Sequence, residues 1–170
     1  MISKILQRIK GVLFLKSFFG FRIRVIGKFP LILKKSNITI GSYVTFQNIT
    51  QRTRLGTSST GNIEIGDNVF INQGCNFYSN SQIIIMNRVK IGENVTIFDT
   101  TFHSKYEGEV VKNASVTIGD DVWIGNNVSI LAGVKIGEGS VVGIGSVVTK
   151  SFPKKSFIVG NPAVLKKKLP

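Results

Sequence analysis

The chain has a single cysteine, Cys75, so no intrachain disulfide can form, which fits a reducing compartment. It has a single histidine, His103, so three imidazoles from one chain cannot build a metal site. No run of 18 uncharged apolar residues is present, which excludes a membrane-spanning helix of the usual length. Residues 11 to 21 resemble a signal-peptide core after Lys4, Arg8 and Lys10. Lys16 interrupts them, however, and no small-x-small cleavage site follows, so the segment is expected to be retained. Acid is missing from the first third: eleven Lys or Arg precede Glu64, against eleven basic and nine acidic residues from there on. The body is therefore near neutral, and the net charge of +13 belongs to the N-terminal part. A basic arm of this kind suits an anionic membrane or a phosphorylated substrate better than DNA, whose binders stripe the folded domain with cations. No nucleic-acid partner is expected.

What is abundant is glycine, 18 residues in 170, with 42% apolar residues, a mix typical of a turn-rich packed chain rather than a disordered one or a helix bundle. This length supports one domain that buries roughly two thirds of its unfolded surface. From Ile118 onward an aliphatic residue recurs every six positions: Ile118, Ile124, Ile130, Ile136, Val142 and Val148. Four residues after the first five stand Val122, Val128, Val134, Ser140 and Ser146. The pattern also runs through Ile85, Ile91 and Ile97 with Val89, Val95 and Thr101, and through Ile65, Ile71 and Phe77 with Val69, Cys75 and Ser81. Ile40 and Phe46, with Val44 and Thr50, open it.

Neither a helix nor a hairpin has period six, whereas three short strands per turn of a parallel β-helix place every sixth residue inward. Eighteen residues make one coil, with backbone hydrogen bonds along the axis at about 4.8 Å per coil. The residues between the inward aliphatics, such as Gly66-Asp67-Asn68 and Gly125-Asn126-Asn127, tolerate the left-handed backbone angles of sharp corners. The period breaks twice, predicting loops at about 50–62 and 103–117, and loops on a rigid solenoid are where function concentrates. Ile2, Ile5, Leu6, Ile9 and Leu13 share one helical face opposite Lys4, Gln7 and Arg8, so residues 2–16 read as an amphipathic helix. The expected organisation is a basic amphipathic arm over 1–35, a β-helix over 36–150, and a C-terminal turn with a basic tail over 151–170.

Four segments carry a resemblance: Asp99-Thr100-Thr101-Phe102-His103-Ser104, Ile118-Gly119-Asp120-Asp121-Val122-Trp123-Ile124-Gly125, residues 143–150, and Val159-Gly160-Asn161-Pro162-Ala163. With them, residues from about 38 to 167 resemble the hexapeptide-repeat acyltransferases, in particular the maltose, galactoside and polysaccharide O-acetyltransferase group. The resemblance implies an all-β solenoid, a left-handed parallel β-helix. It also implies a homotrimer with clefts between subunits, acetyl-CoA as donor, a sugar hydroxyl as acceptor, and no metal. His103 matches the family's catalytic base, and an imidazole suits that task because a hydroxyl is a poor nucleophile until its proton is withdrawn. Asp99 either orients the imidazole or shapes the turn.

Trp123 matches a cleft residue that covers the acceptor or the pantetheine arm, or it packs a trimer interface. Asn76 and Asn87 fall near polar acceptor-facing positions. Gly143, Gly145 and Ser146 match backbone that binds pantetheine. Lys150, Lys166 and Lys167 are candidates for the CoA phosphates, or else part of a solvated tail. Cys75 reads as a packing residue.

The leading expectation is O-acetylation of a cell-envelope polysaccharide or its precursor, in the cytoplasm, with the basic arm on the inner face of the membrane or capping the solenoid. N-acylation of an amino-sugar nucleotide, acetylation of a xenobiotic and a non-catalytic scaffold are the alternatives.

Overall fold

The computed structural model describes residues 22–33, 37–103 and 113–170. The period-six pattern becomes a β-solenoid of about five turns. The first coil holds β1 (Arg24–Gly27), β2 (Leu31–Leu33) and β3 (Ile38–Ile40), and the second β4 (Thr45–Asn48), β5 (Arg54–Thr57) and β6 (Asn62–Ile65). The third holds β7 (Phe70–Asn72), β8 (Asn76–Ser79) and β9 (Gln82–Ile85), and the fourth β10 (Lys90–Ile91), β11 (Thr96–Phe98) and β12 (Val116–Ile118). The fifth holds β13 (Trp123–Ile124), β14 (Ser129–Ile130) and β15 (Lys135–Ile136), after which β16 (Val141–Val142) and β17 (Val147–Val148) begin another. The chain ends in β18 (Ser156–Gly160) and β19 (Ala163–Lys168).

Up to β17 every third strand stacks in parallel register, giving three flat faces, and β18 and β19 extend the first of them. The first face is β1-β4-β7-β10-β13-β16-β18-β19, the second β2-β5-β8-β11-β14-β17, and the third β3-β6-β9-β12-β15. Because inward residues of successive coils lie in register (Phe46 with Ile71, Ile97 with Ile130, Ile85 with Ile118), the core is a stack of aliphatic triangles. The expected inward aliphatics are all buried. Corners take the left-handed conformation at Asn68, Asn94, Asp121 and Asn127, as residue type predicts, and also at Arg88 and Tyr43, which type does not predict.

Four expectations need correction. The break after Phe46 is not a looped-out segment: β5 lies inside it, with Leu55 fully buried, and only the corners on either side are enlarged. Thr50 and Thr101 are exposed and Ser81 is half-buried, because at these widened corners the chain leaves the core instead of turning on it. The solenoid begins before residue 36: β1 and β2 pair with β4 and β5, so the described part of the expected arm is coil. The C-terminal tail is a strand, since β19 pairs antiparallel with β18 and includes Lys166 to Lys168. The amphipathic helix read over 2–16 lies outside the described residues.

Candidate functional site

Asp99 follows β11 at the corner between the second and third faces. Beyond His103 the described residues resume at Asn113, which bridges back to Thr100. Fully buried, Asp99 accepts from the Ser79 hydroxyl (2.6 Å), the Asn80 amide N–H (2.7 Å) and the Ser81 amide N–H (2.9 Å). Its own carbonyl accepts from Ala114 N–H at 2.9 Å. Three donors converge on this carboxylate because the corner one coil below is enlarged and would otherwise leave two backbone N–H groups unpaired. The His103 ring takes no part in this network, so Asp99 anchors the corner from which His103 departs and does not hydrogen-bond the imidazole.

His103 stands exposed at this corner, and its backbone N–H donates to Thr101 O at 2.7 Å. Phe102, at φ 59°, folds back over the outer side of the second face. Its ring centroid lies 5.0 Å from Phe98, edge on, and 5.2 Å from Tyr78, tilted. Tyr78 and Phe98 pair across β8 and β11 and form the floor. Asn80 stands beside them, its side-chain N–H donating to Thr100 Oγ1 at 3.2 Å. The structure thus gathers His103, Asn80 and three aromatic rings at one corner, an arrangement able to hold an apolar-faced polar molecule next to an imidazole. Sequence reading missed Asn80 and the aromatics. A signal existed: Tyr78 and Phe98 each follow an inward residue, Phe77 and Ile97, and so point outward in the same register.

The other expected site residues are dispersed. Lys150 lies on the same corner as His103, two coils further along, about 10 Å by the coil spacing. Its ammonium sits 5.9 Å from the Phe152 ring centroid. Asn76 is on the outer side of the second face beside Thr96. Asn87 is at the third–first corner, where its Oδ1 accepts from Asp67 N–H and its own N–H groups donate to Asp120. It is a rung of a corner ladder.

Trp123, 58% exposed, projects from the first face between Lys90 and Val141, across the solenoid from the His103 corner. A concavity of about 350 Å³ beside it is lined by Arg88, Lys90, Asp121 and Val141. Another of about 510 Å³ lies on the third face, lined by Thr117, Lys135 and Phe152, and does not include His103.

Gly143, Gly145 and Ser146 form the first–second corner of the last coil. There the Gly143 and Gly145 N–H groups already donate to Ile158 O and Asn126 O, and Ser146 Oγ donates to Gly143 O. Lys166 and Lys167 are exposed on β19, at the end of the first face.

Beside Trp123 an arginine and an aspartate pair with each other. Arg88 bonds Asp121 through Nε and Nη2, both at 2.8 Å, and this pairing holds the Asp121 carboxyl below its usual range. Burial raises the Cys75 thiol from 9.0 to about 12, so it is a protonated packing group at neutral pH. Among the described residues, no group of three or more His, Cys, Asp or Glu side chains is placed to hold a metal, and no helix is long and apolar enough to cross a membrane.

Residues 115–150 match the family described as bacterial transferase hexapeptide (six repeats). A hexapeptide-repeat-containing acetyltransferase from Vibrio cholerae is similar at 27% identity and a TM-score of 0.67, over 97% of this chain and 81% of that one. A maltose O-acetyltransferase from Clostridium difficile is similar at 28% identity and a TM-score of 0.64, over 92% of this chain and 73% of that one. An N-acyltransferase from Bacillus cereus, solved with dTDP and 3-hydroxybutyryl-CoA, shares the fold at a TM-score of 0.74 and 20% identity, over 99% of this chain and 88% of that one. The period-six core and these likenesses agree: in fold and repeat pattern the chain is similar to the hexapeptide-repeat acyltransferases.

Proposed function

We propose that the chain transfers the acetyl group of acetyl-CoA to a sugar hydroxyl, in a cell-envelope polysaccharide or its precursor, with His103 as general base. The observation that carries this is the corner itself, where the only histidine stands exposed beside Asn80 and the Tyr78–Phe98–Phe102 cluster. Aromatic rings offer a sugar's C–H face an apolar floor while an amide bonds its hydroxyls. The imidazole then takes the proton from the acceptor hydroxyl as its oxygen attacks the thioester carbonyl. The C–S bond breaks, and the imidazolium returns the proton to the departing sulfur. Asp99 contributes as a positioning residue, by fixing the corner.

Trp123 cannot reach this corner within one chain, because it projects from the opposite face. A homotrimer that sets one chain's first face against the next chain's His103 corner brings them together, and this reading assigns Trp123 to the acceptor or the donor arm. Lys150 lies along the His103 corner and is assigned to CoA phosphates. In the same trimer the last first–second corner (Gly143, Gly145, Ser146) and Lys166 and Lys167 belong to the donor side. The thioester supplies the activated acyl group.

Release of free CoA thiol from acetyl-CoA, followed over a panel of soluble sugars and amino sugars, tests the reaction. His103→Ala should lower kcat by about 100-fold or more with little change in CoA affinity. Near-native turnover in that variant refutes the base assignment. Mild alkali cleaves an O-acetyl ester and spares an N-acetyl amide, so mass spectra before and after treatment decide the acceptor atom.

A further inference from the structure

The N-terminal end of the solenoid carries a surface that acetyl transfer does not use. Arg24 lies at the outer edge of the first face. Lys28 and Arg52 lie on the first–second corner in the first and second coils, and Arg54 lies on the second face; all four are exposed. Among them stand Leu31, Leu33 and Ile49, exposed by 38%, 51% and 57%. Leu31 is in register beside Arg54. The Lys28 ammonium donates to Thr50 O at 2.8 Å, which brings it alongside Ile49. One edge therefore alternates cations with apolar side chains. The first acid, Glu64, is on the third face, where it accepts from Asn62 and Gln82.

A single exposed leucine means little, but three interleaved with cations and no acid form a surface of defined chemistry. A second copy of the same patch would be repelled by its charge. A nucleic acid would use the cations and leave the apolar groups in water. A bilayer interface takes both: phosphates attract the cations, and the headgroup layer accepts the apolar side chains. The residues preceding Arg22 join the solenoid at this end, and in sequence they carry four Lys or Arg and no acid among Ile, Leu and Phe.

We propose that this end docks on an anionic phospholipid bilayer, with Leu31, Leu33 and Ile49 entering the headgroup layer and Lys28, Arg52 and Arg54 facing lipid phosphates. The proposal rests on the acetyl-transfer reading only for its purpose. His103 stands two coils above Arg54, about 10 Å along the axis, a reach that suits an acceptor sugar presented on a lipid anchor.

The test is co-sedimentation of the full chain, without acetyl-CoA, with phosphatidylcholine vesicles that contain or lack phosphatidylglycerol, at low and high salt. Binding is expected only with phosphatidylglycerol, and salt should release it. Arg52→Gln/Arg54→Gln should partition roughly 30-fold more weakly, the effect of two basic side chains at such a surface. The charge-preserving Arg52→Lys/Arg54→Lys chain should bind like the parent, which separates charge from fold.

Any of three results overturns the proposal: no binding to phosphatidylglycerol, unchanged binding by the Gln variant, or tighter capture by duplex DNA than by vesicles. A chain that binds vesicles but transfers no acetyl group refutes the acetyl-transfer reading and leaves this one standing.

Discussion

Replacing Asp99 separates an anchoring role from a catalytic one. In Asp99→Ala the Asn80 and Ser81 N–H groups lose the acceptor they reach at 2.7 and 2.9 Å, and the Ser79 hydroxyl loses its partner at 2.6 Å. The hydroxyl can rotate to another acceptor, but the two backbone donors cannot. Each unpaired buried donor costs about 1–3 kcal/mol, so the pair costs about 4 kcal/mol. At 2–4 °C per kcal/mol for a chain of this size, Tm should fall by roughly 12 °C. Asp99→Asn keeps the shape and one acceptor oxygen but turns an N–H towards a donor, and should cost about half as much. Thermal unfolding followed by circular dichroism reads both, with turnover measured well below either midpoint. If Asp99 anchors the corner, Asp99→Asn loses stability and the folded enzyme keeps turnover within about tenfold of the parent. An orienting carboxylate would behave oppositely, because an amide there stabilises the wrong imidazole tautomer and lowers kcat by orders of magnitude. An Asp99→Asn chain with native Tm and kcat reduced at least about 100-fold would refute the anchoring argument.

Other expected outcomes test the proposed trimer and the packing of the core. Sedimentation equilibrium should give a trimer, and mixed trimers of His103→Ala and Trp123→Ala chains should regain turnover that neither homotrimer has. If mixing restores nothing, the two residues do not share a site. Cys75 should resist iodoacetamide in the folded chain and react on unfolding; rapid labelling in the native state would contradict its burial. Because folding raises this thiol from 9.0 to about 12, its contribution to stability is complete below pH 9. That contribution should be lost as pH climbs from 9 towards 12, and Cys75→Ser should flatten that part of the stability profile.

The period-six aliphatics carry the architecture in the sequence itself, because a short strand buries one side chain per face and the corners between strands admit few residue types. Ile118, Ile124 and Ile130 announce three faces by spacing alone. His103 stands out in the sequence for a related reason: it is the only histidine, and it falls at a break in a strict period. Spacing fails where coils are irregular. Leu55 stands nine positions after Phe46 and eight before Ile63, out of phase with the period, so in sequence β5 reads as a loop, although pairing with β2 and β8 makes it a strand. Lys166 to Lys168 read as a solvated tail, and only pairing with β18 places them in a sheet.

The site depended on tertiary structure to a greater degree. Asn80 is one polar residue among many until Asp99, 19 positions later, binds its backbone N–H and sets it beside Phe102. Asn87 reads in sequence as an acceptor contact, and only coiling places it between Asp67 and Asp120 as a corner rung. Trp123 is placed by the triangular cross-section, which sets the first face opposite the His103 corner. Periodicity is a local property that a chain displays residue by residue, whereas a shared corner is made by residues 20 or more apart in sequence, which only the coiling brings together.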